Sequence, residues 1–351
     1  MSAYYIDENL SIDEKNPPVN SSLSQPSAAK DSTAPRPVKR VLLVRYSQSG
    51  QLTRITEQLL APLRQADDIE VHVETLRPRQ PYPFPWTFFR FFDAFPESAH
   101  LVPPALEPLG LRGDENFDLV ILPYQVWFLA PALPVTAFLK DPLAQRLLHG
   151  KPVVTLIACR NMWMLAQEKM KQLLADCGAR LIDNVVLTDP SPTLVTLITT
   201  PYWLLTGRRH FPGLPAAGID AQSIAGTARF GLALRDGLRQ HAERQTAPML
   251  HGLQACRADP RLYLSERAGT RSFYLWGKLL RAAGAPQAPQ RKPLLLVYVV
   301  FLIALILSVV PLSLLLQALL RPLLKIQSAQ LKQRFEMPSG AGDERMGMYE
   351  H

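Results

Sequence analysis

From Val41 onward the chain alternates short apolar runs with stretches whose apolar positions recur at helical spacing. Val41-Leu42-Leu43-Val44-Arg45-Tyr46 reads as a strand, and 52–65 reads as a helix. Residues 69–76 alternate apolar with polar, as a half-covered strand does. Residues 117–123 form a continuous apolar strand, followed by a helical pattern over 132–148. Pro152 to Ala158, opened by Gly150-Lys151, predicts a buried strand. The helix over 163–177 ends in Cys177-Gly178, with the glycine as its C-cap. Residues 179–187 supply a fifth strand, and a helix over 218–242 closes the unit. Five strands alternating with helices predict an α/β fold with a doubly wound, five-stranded parallel sheet. Strands this apolar are expected where helices cover both faces. Ligands of such sheets lie beyond the carboxyl ends of the strands. The loops after Tyr46, Pro123 and Ala158 are therefore the ones that matter.

Outside this unit the pattern changes. Residues 1–39 are polar, with Pro, Ser, Asn and Asp throughout, and predict a disordered arm rather than a signal segment. An insert over about 78–115 interrupts the alternation, and eight of the fifteen residues from Tyr82 to Pro96 are aromatic. Such a patch lines an alkyl pocket, meets the bilayer interface or packs as a helix on the sheet. The apolar stretch Leu194 to Leu205 is too short to cross a bilayer and reads as a dimer-forming or membrane-facing element. The arginines after it, Arg208 and Arg209, suit a nicotinamide cofactor phosphate, lipid headgroups or plain solvation. Residues 243–292 read as a juxtamembrane linker.

Residues 293–320 contain no charged side chain. About twenty such residues cross a hydrocarbon core of roughly 30 Å, so a C-terminal transmembrane helix is expected, with Pro311 a tolerable kink. The positive charges are nearly balanced: Arg291 and Lys292 precede the span, and Arg321, Lys325, Lys332 and Arg334 follow it. The expectation is a single-pass protein of the inner (cytoplasmic) membrane, the main domain on the cytoplasmic side and the polar tail 325–351 outside. A monotopic anchor is the alternative.

Composition narrows the chemistry. The net charge of +8 over 351 residues is spread along the chain, which argues against nucleic acid and fits an anionic bilayer surface. Three cysteines at unpaired spacing suggest neither a disulfide framework nor a zinc site. The seven histidines show no metal spacing, and neither a nucleophile elbow nor a Walker loop occurs, so no metal site and no catalytic residue can be named.

One loop does carry chemistry. Ser47-Gln48-Ser49-Gly50-Gln51-Leu52-Thr53 joins the first strand to a helix. Unpaired amides and the dipole at a helix start attract an anion, so this loop reads as a phosphate cradle. On these residues, and on the order of strands, residues 40–242 resemble the flavodoxin-like, FMN-binding family. The resemblance implies FMN held by Ser47, Gln48, Ser49, Gly50, Gln51, Leu52 and Thr53 at the phosphate. It also implies contacts from Tyr124, Gln125, Val126 and Trp127 after the third strand, with Trp127 beside the isoalloxazine. The third loop, Cys159-Arg160-Asn161-Met162-Trp163, departs from the small, polar family pattern; there Arg160 and Asn161 would meet the flavin's pyrimidine edge or a substrate carbonyl. More narrowly, the chain resembles the flavodoxin-like proteins of dialkylresorcinol biosynthesis, often labelled condensing enzymes. That likeness implies a membrane-anchored flavin oxidoreductase acting on a lipophilic small molecule, as in oxidative aromatisation of a cyclohexanedione, with NAD(P)H a candidate reductant. The alternatives are a quinone-reducing or electron-transfer flavoprotein, and a cofactor-less scaffold for biosynthetic enzyme partners. Partners implied are the lipid bilayer, the substrate, and either a second copy or those enzymes.

Overall fold

The structure is a computed structural model that describes residues 38–319 and 325–349. The arm expected over 1–39 lies almost wholly outside the described residues. The strands are β1 (Lys39–Arg45), β2 (Ile69–Thr75), β3 (Leu119–Trp127), β4 (Ala130–Pro131), β5 (Pro152–Cys159) and β6 (Arg180–Thr188). Five of them form a parallel sheet in the order β2-β1-β3-β5-β6, while β4 only folds back antiparallel on the end of β3. Counting the long strands alone, the order is 2-1-3-4-5, the flavodoxin-like arrangement.

Both faces of the sheet are covered, as the apolar runs require. Because strand side chains alternate, Val41 and Leu43 of β1 join Ile121, Val154 and Leu156 in one core. That core packs on α1 (Gln51–Arg64). Leu42 and Val44 join Val120, Leu122 and Tyr124 on the opposite face, in the core shared with α4 (Leu133–Leu139), α5 (Pro142–Leu148) and α6 (Met164–Asp176). The insert between β2 and β3 holds two short helices, α2 (Phe88–Asp93) and α3 (Phe95–Ala99). After β6 come α7 (Thr193–Thr206), α8 (Ala221–Ala225) and α9 (Ala228–Arg239). Helix α9 closes against α1 at Gly231, where an added Cβ would stand 2.0 Å from the Leu59 carbonyl oxygen.

Residues 243–292 are more than a linker. Leu250, Leu253, Ala255 and Cys256 are fully buried in the two cores. The Val186 amide of the edge strand β6 donates to Ala255 O at 2.8 Å. The buried Asp183 carboxylate of β6 accepts from Met249 N (2.8 Å) and Leu250 N (3.1 Å). Covering an edge in this way removes a template for unwanted strand pairing. Helix α10 (Tyr263–Ala283) follows, packed on α3, α6 and the long apolar helix α11 (Arg291–Leu319). Helix α12 (Lys325–Glu336) then leads back to the sheet edge, where Ser339 Oγ donates to Asp183 (2.7 Å) and accepts from Asn184 N (2.8 Å). The polar tail, expected on the far side of a membrane from the domain, is therefore part of the domain from about Leu331 onward. Its Phe335 is fully buried and packs with Tyr263, ring centroids 5.7 Å apart.

Candidate functional site

The three loops converge at the carboxyl ends of β1, β3 and β5. The first loop is shaped by Gly50, the N-cap of α1, at φ +78°. Only glycine adopts that left-handed conformation without penalty. Its position turns the chain so that the first amides of α1 face outward. Among the described residues no acceptor reaches the amides of Ser49, Gly50, Gln51 or Leu52. Ser47 Oγ accepts from Thr53 N at 3.2 Å, which braces the loop, while the hydroxyls of Ser49 and Thr53 donate to nothing among the described residues. Unpaired donors at a helix start are the physical requirement for holding a phosphate.

Three of the expected phosphate residues turn their side chains to structural partners instead. Gln51 is buried and exchanges hydrogen bonds with both backbone groups of Ile219, at 3.1 Å each, so only its amide can face a ligand. Leu52 is buried in the α1 core and likewise offers only its amide. Gln48 turns towards the insert: Nε2 donates to Tyr82 O (3.0 Å) and Pro83 O (2.7 Å), and Oε1 accepts from the Tyr46 hydroxyl.

The second loop is shorter than expected, because β3 runs on through Trp127 and then reverses at Phe128 and Leu129. Both adopt positive φ (49° and 58°), which closes a tight hairpin with Ala130–Pro131. Tyr124 is therefore a strand residue with no exposed surface, its hydroxyl donating to Gln167 Oε1 at 2.6 Å; it cannot touch a ligand. Val126 packs on the same core. Gln125, with its amide oriented to satisfy both neighbours, donates to Tyr46 O (3.3 Å) and accepts from Gln48 N (3.2 Å), tying β3 to the first loop. Trp127 does reach the site, but three rings surround it: Tyr82 at 5.0 Å, Trp86 at 5.4 Å and Tyr46 at 5.9 Å between centroids. These edge-on contacts are favourable aromatic geometry. Tyr82 and Trp86 belong to the insert, which is further pinned by Trp86 N to Leu204 O (2.8 Å). The insert thus closes over the first two loops as a lid.

The third loop holds the least satisfied polar groups. Asn161 Nδ2 donates to Thr193 Oγ1 (3.2 Å), but its Oδ1 is buried with no partner. A buried acceptor left unpaired is unfavourable by roughly 1–3 kcal/mol. Beside it the half-buried Arg160 guanidinium meets, among the described residues, only the weak acceptor Met162 Sδ at 3.7 Å. Burial lowers its pKa, opposed by the nearby Cys159 and Asp189.

Sequence reasoning missed Asp189 and Glu266, and gave Arg209 only as a candidate for a nicotinamide cofactor phosphate, lipid headgroups or solvation. Asp189 is buried and accepts from Gly218 N (2.6 Å) and Ser191 N (2.9 Å), fixing the loop that bonds Gln51. Arg209 donates to Ala217 O (2.8 Å) and Ile219 O (3.0 Å) and lies over the Trp203 ring. Burial, and then the like charge of Arg54 on α1, lowers its pKa. Asp189 and Asp220 act against that repulsion, so the positive charge of the two guanidinium groups is partly offset there. Only the pairing of Arg208 and Arg209 hinted at this; the approach of Arg54 depends on the fold. Glu266 of α10, fully buried, caps α6 by accepting from Met164 N (3.2 Å) and Leu165 N (2.8 Å). Burial pushes its pKa up to about 7, against those two hydrogen bonds.

Among the described residues no group of His, Cys, Asp or Glu could hold a metal ion. A cavity of about 380 Å³ lies beside the lid, lined by Tyr82, Arg90, Glu97 and Gln287 among others.

No protein-family model and no curated protein matches the chain. Among solved structures it is similar to a flavoprotein in complex with FMN from Lactobacillus acidophilus. That match has 16% identity and TM-score 0.34, over 42% of this chain and 93% of that one. It is also similar to a flavodoxin from the domain Archaea (12%, TM-score 0.32, 57% and 99%) and to oxidised flavodoxin 1 from Bacillus cereus (14%, TM-score 0.30, 55% and 95%). At these values the observed strand order, not the likeness, carries the fold.

Proposed function

We propose that the chain is an FMN-dependent redox protein that works at a membrane surface on a lipophilic substrate. The observation that carries this reading is the set of unpaired donors in the first loop; a second is the unpaired buried acceptor Asn161 Oδ1 in the third loop, at the same end of the sheet. Together they would suit a ligand that carries both a phosphate and an N–H donor. Bound there, FMN supplies hydride or single-electron transfer. The amides of Ser49 to Leu52 would hold its phosphate, helped by the Ser49 and Thr53 hydroxyls and the field of Arg54 and Arg209. Asn161 would accept from the ring's pyrimidine edge, and Arg160 would offset negative charge there. The aromatic lid would exclude water and admit apolar substrates. Membrane attachment is supported by α11, whose first eighteen residues, Arg291 to Ser308, have a mean hydropathy of 2.0 and are only 22% buried.

Within this reading the finer substrate assignment is a cyclic dione bearing alkyl chains, which becomes a resorcinol by losing two hydrogens. Detergent-purified protein given FMN should turn yellow and convert such a dione; rapid NAD(P)H oxidation with quinones and an untouched dione would instead indicate a quinone reductase. A cofactor-free scaffold is the second reading, favoured by the cage around Trp127, because those rings occupy the face on which a flavin would stack. It predicts that added FMN neither binds nor quenches.

A further inference from the structure

Helix α11 leaves the domain at a fixed point. Arg291 is fully buried, paired with Asp93 Oδ1 (3.3 Å) and Glu97 Oε2 (3.2 Å). It is a structural charge and faces no lipid. The first turns pack Leu295 and Tyr298 against Phe95 and Leu280, and beyond them Val300, Ile303 and Leu307 are exposed. At 1.5 Å per residue the 29-residue helix is about 44 Å long.

The other end returns to the same body. Backbone bonds run from Cys256 N to Gly340 O (3.0 Å), Gln254 N to Gly342 O (2.7 Å) and Arg345 N to Gly252 O (2.9 Å). Cys256 Sγ donates to Phe335 O, and Arg334 pairs with Glu168 of α6. If α11 crossed the bilayer, the chain would have to recross roughly 30 Å of hydrocarbon between Leu319 and Phe335. The segment available for that is residues 320–334, which carry Arg321, Lys325, Lys332 and Arg334. Charges like these are strongly disfavoured at the centre of a bilayer.

We infer that α11 enters one leaflet only, from the side that carries the domain, and that α10 lies beside it in the headgroup plane of an anionic bilayer. The inference rests on the membrane attachment proposed above and favours the monotopic anchor over the single crossing expected from the sequence. Helix α10 has the composition such a position needs. Tyr274, Leu275 and Leu279 share its exposed face with Arg267, Arg271 and Lys278. Basic side chains mixed with aromatic and aliphatic ones characterise helices that lie in the interface.

The test is topological. Full-length protein carrying Val38→Cys on the domain or Met348→Cys on the tail, both exposed positions, is placed in sealed membrane vesicles of each orientation and treated with a membrane-impermeant maleimide. Equal labelling of both from the same face is expected; labelling from opposite faces overturns the inference. A second measurement uses Glu168→Cys with Arg334→Cys and a short bis-maleimide, which should cross-link the membrane-bound protein; protein that sediments with vesicles but never cross-links also overturns it. Protein that sediments with neither phosphatidylglycerol-rich nor phosphatidylcholine vesicles refutes the membrane reading itself, a separate outcome. Charge reversal at Arg267 and Arg271 should weaken binding to phosphatidylglycerol-rich vesicles at least tenfold and leave the cross-link intact; unchanged binding removes α10 from the interface.

Discussion

Gly50 and Asn161 are the residues on which the site can be tested most cleanly. An added Cβ at Gly50 meets nothing within 4 Å, so a substitution there acts through backbone strain at φ +78° and not through a clash. Gly50→Val should destabilise the fold by about 1–2 kcal/mol and re-aim the amides, lowering FMN affinity at least tenfold in a fluorescence titration. Asn161→Ala removes an unsatisfied buried acceptor, so thermal stability should hold or rise while FMN affinity falls. Retained affinity in both variants would contradict the cradle. The cradle was legible in the sequence because a strand, a glycine and hydroxyl residues fall together at 41–53. The roles of Gln51 and Tyr124 were not, since which way a side chain turns depends on partners 168 and 43 residues away.

At the scale of elements, the sequence pattern located all five long strands and their order of covering, because period-2 burial and helical spacing are local signals. It could not distinguish a linker from a sheet-edge cover over 243–292, nor a free tail from a docked one over 325–351. Those segments carry no regular strand or helix signal tied to the sheet and gain their place from partners distant in sequence, on β6, α3 and α6. Phe335→Ala should therefore unfold the domain more readily, by about 3–5 kcal/mol in chemical denaturation; a neutral result would detach the tail from the core. Gly231→Ala should likewise lower stability, because α9 must then move off Leu59. The buried acids set the pH response. Burial raises Glu266 to about 7 and Asp183 to about 6. Their protonated forms stabilise the fold fully below their ordinary, unfolded values of 4.5 and 3.8, and that contribution is lost as pH rises through about 6 and 7. For Glu266 the loss is on the order of 3 kcal/mol. Melting temperature should fall as pH rises from about 4 to about 7, and Glu266→Gln should flatten that slope.

At the scale of the whole molecule, two features meet: a candidate ligand site under an aromatic lid and an apolar helix rooted beside that lid. The root is the ion pair of Arg291 with Asp93 and Glu97, and the Asp93 and Glu97 carboxylates belong to the insert that carries Trp86. A substrate arriving from the bilayer would thus meet the lid first, a placement that the sequence suggested only through the aromatic run at 82–96. Everything functional depends on whether the site takes a flavin. The direct measurement is a titration of FMN into detergent-purified, full-length protein, followed by flavin fluorescence and visible absorbance. Saturable quenching at one FMN per chain, with a shifted absorption band, is the expected result. Fluorescence that stays that of free FMN at every protein concentration would contradict the account and leave a membrane-bound α/β scaffold.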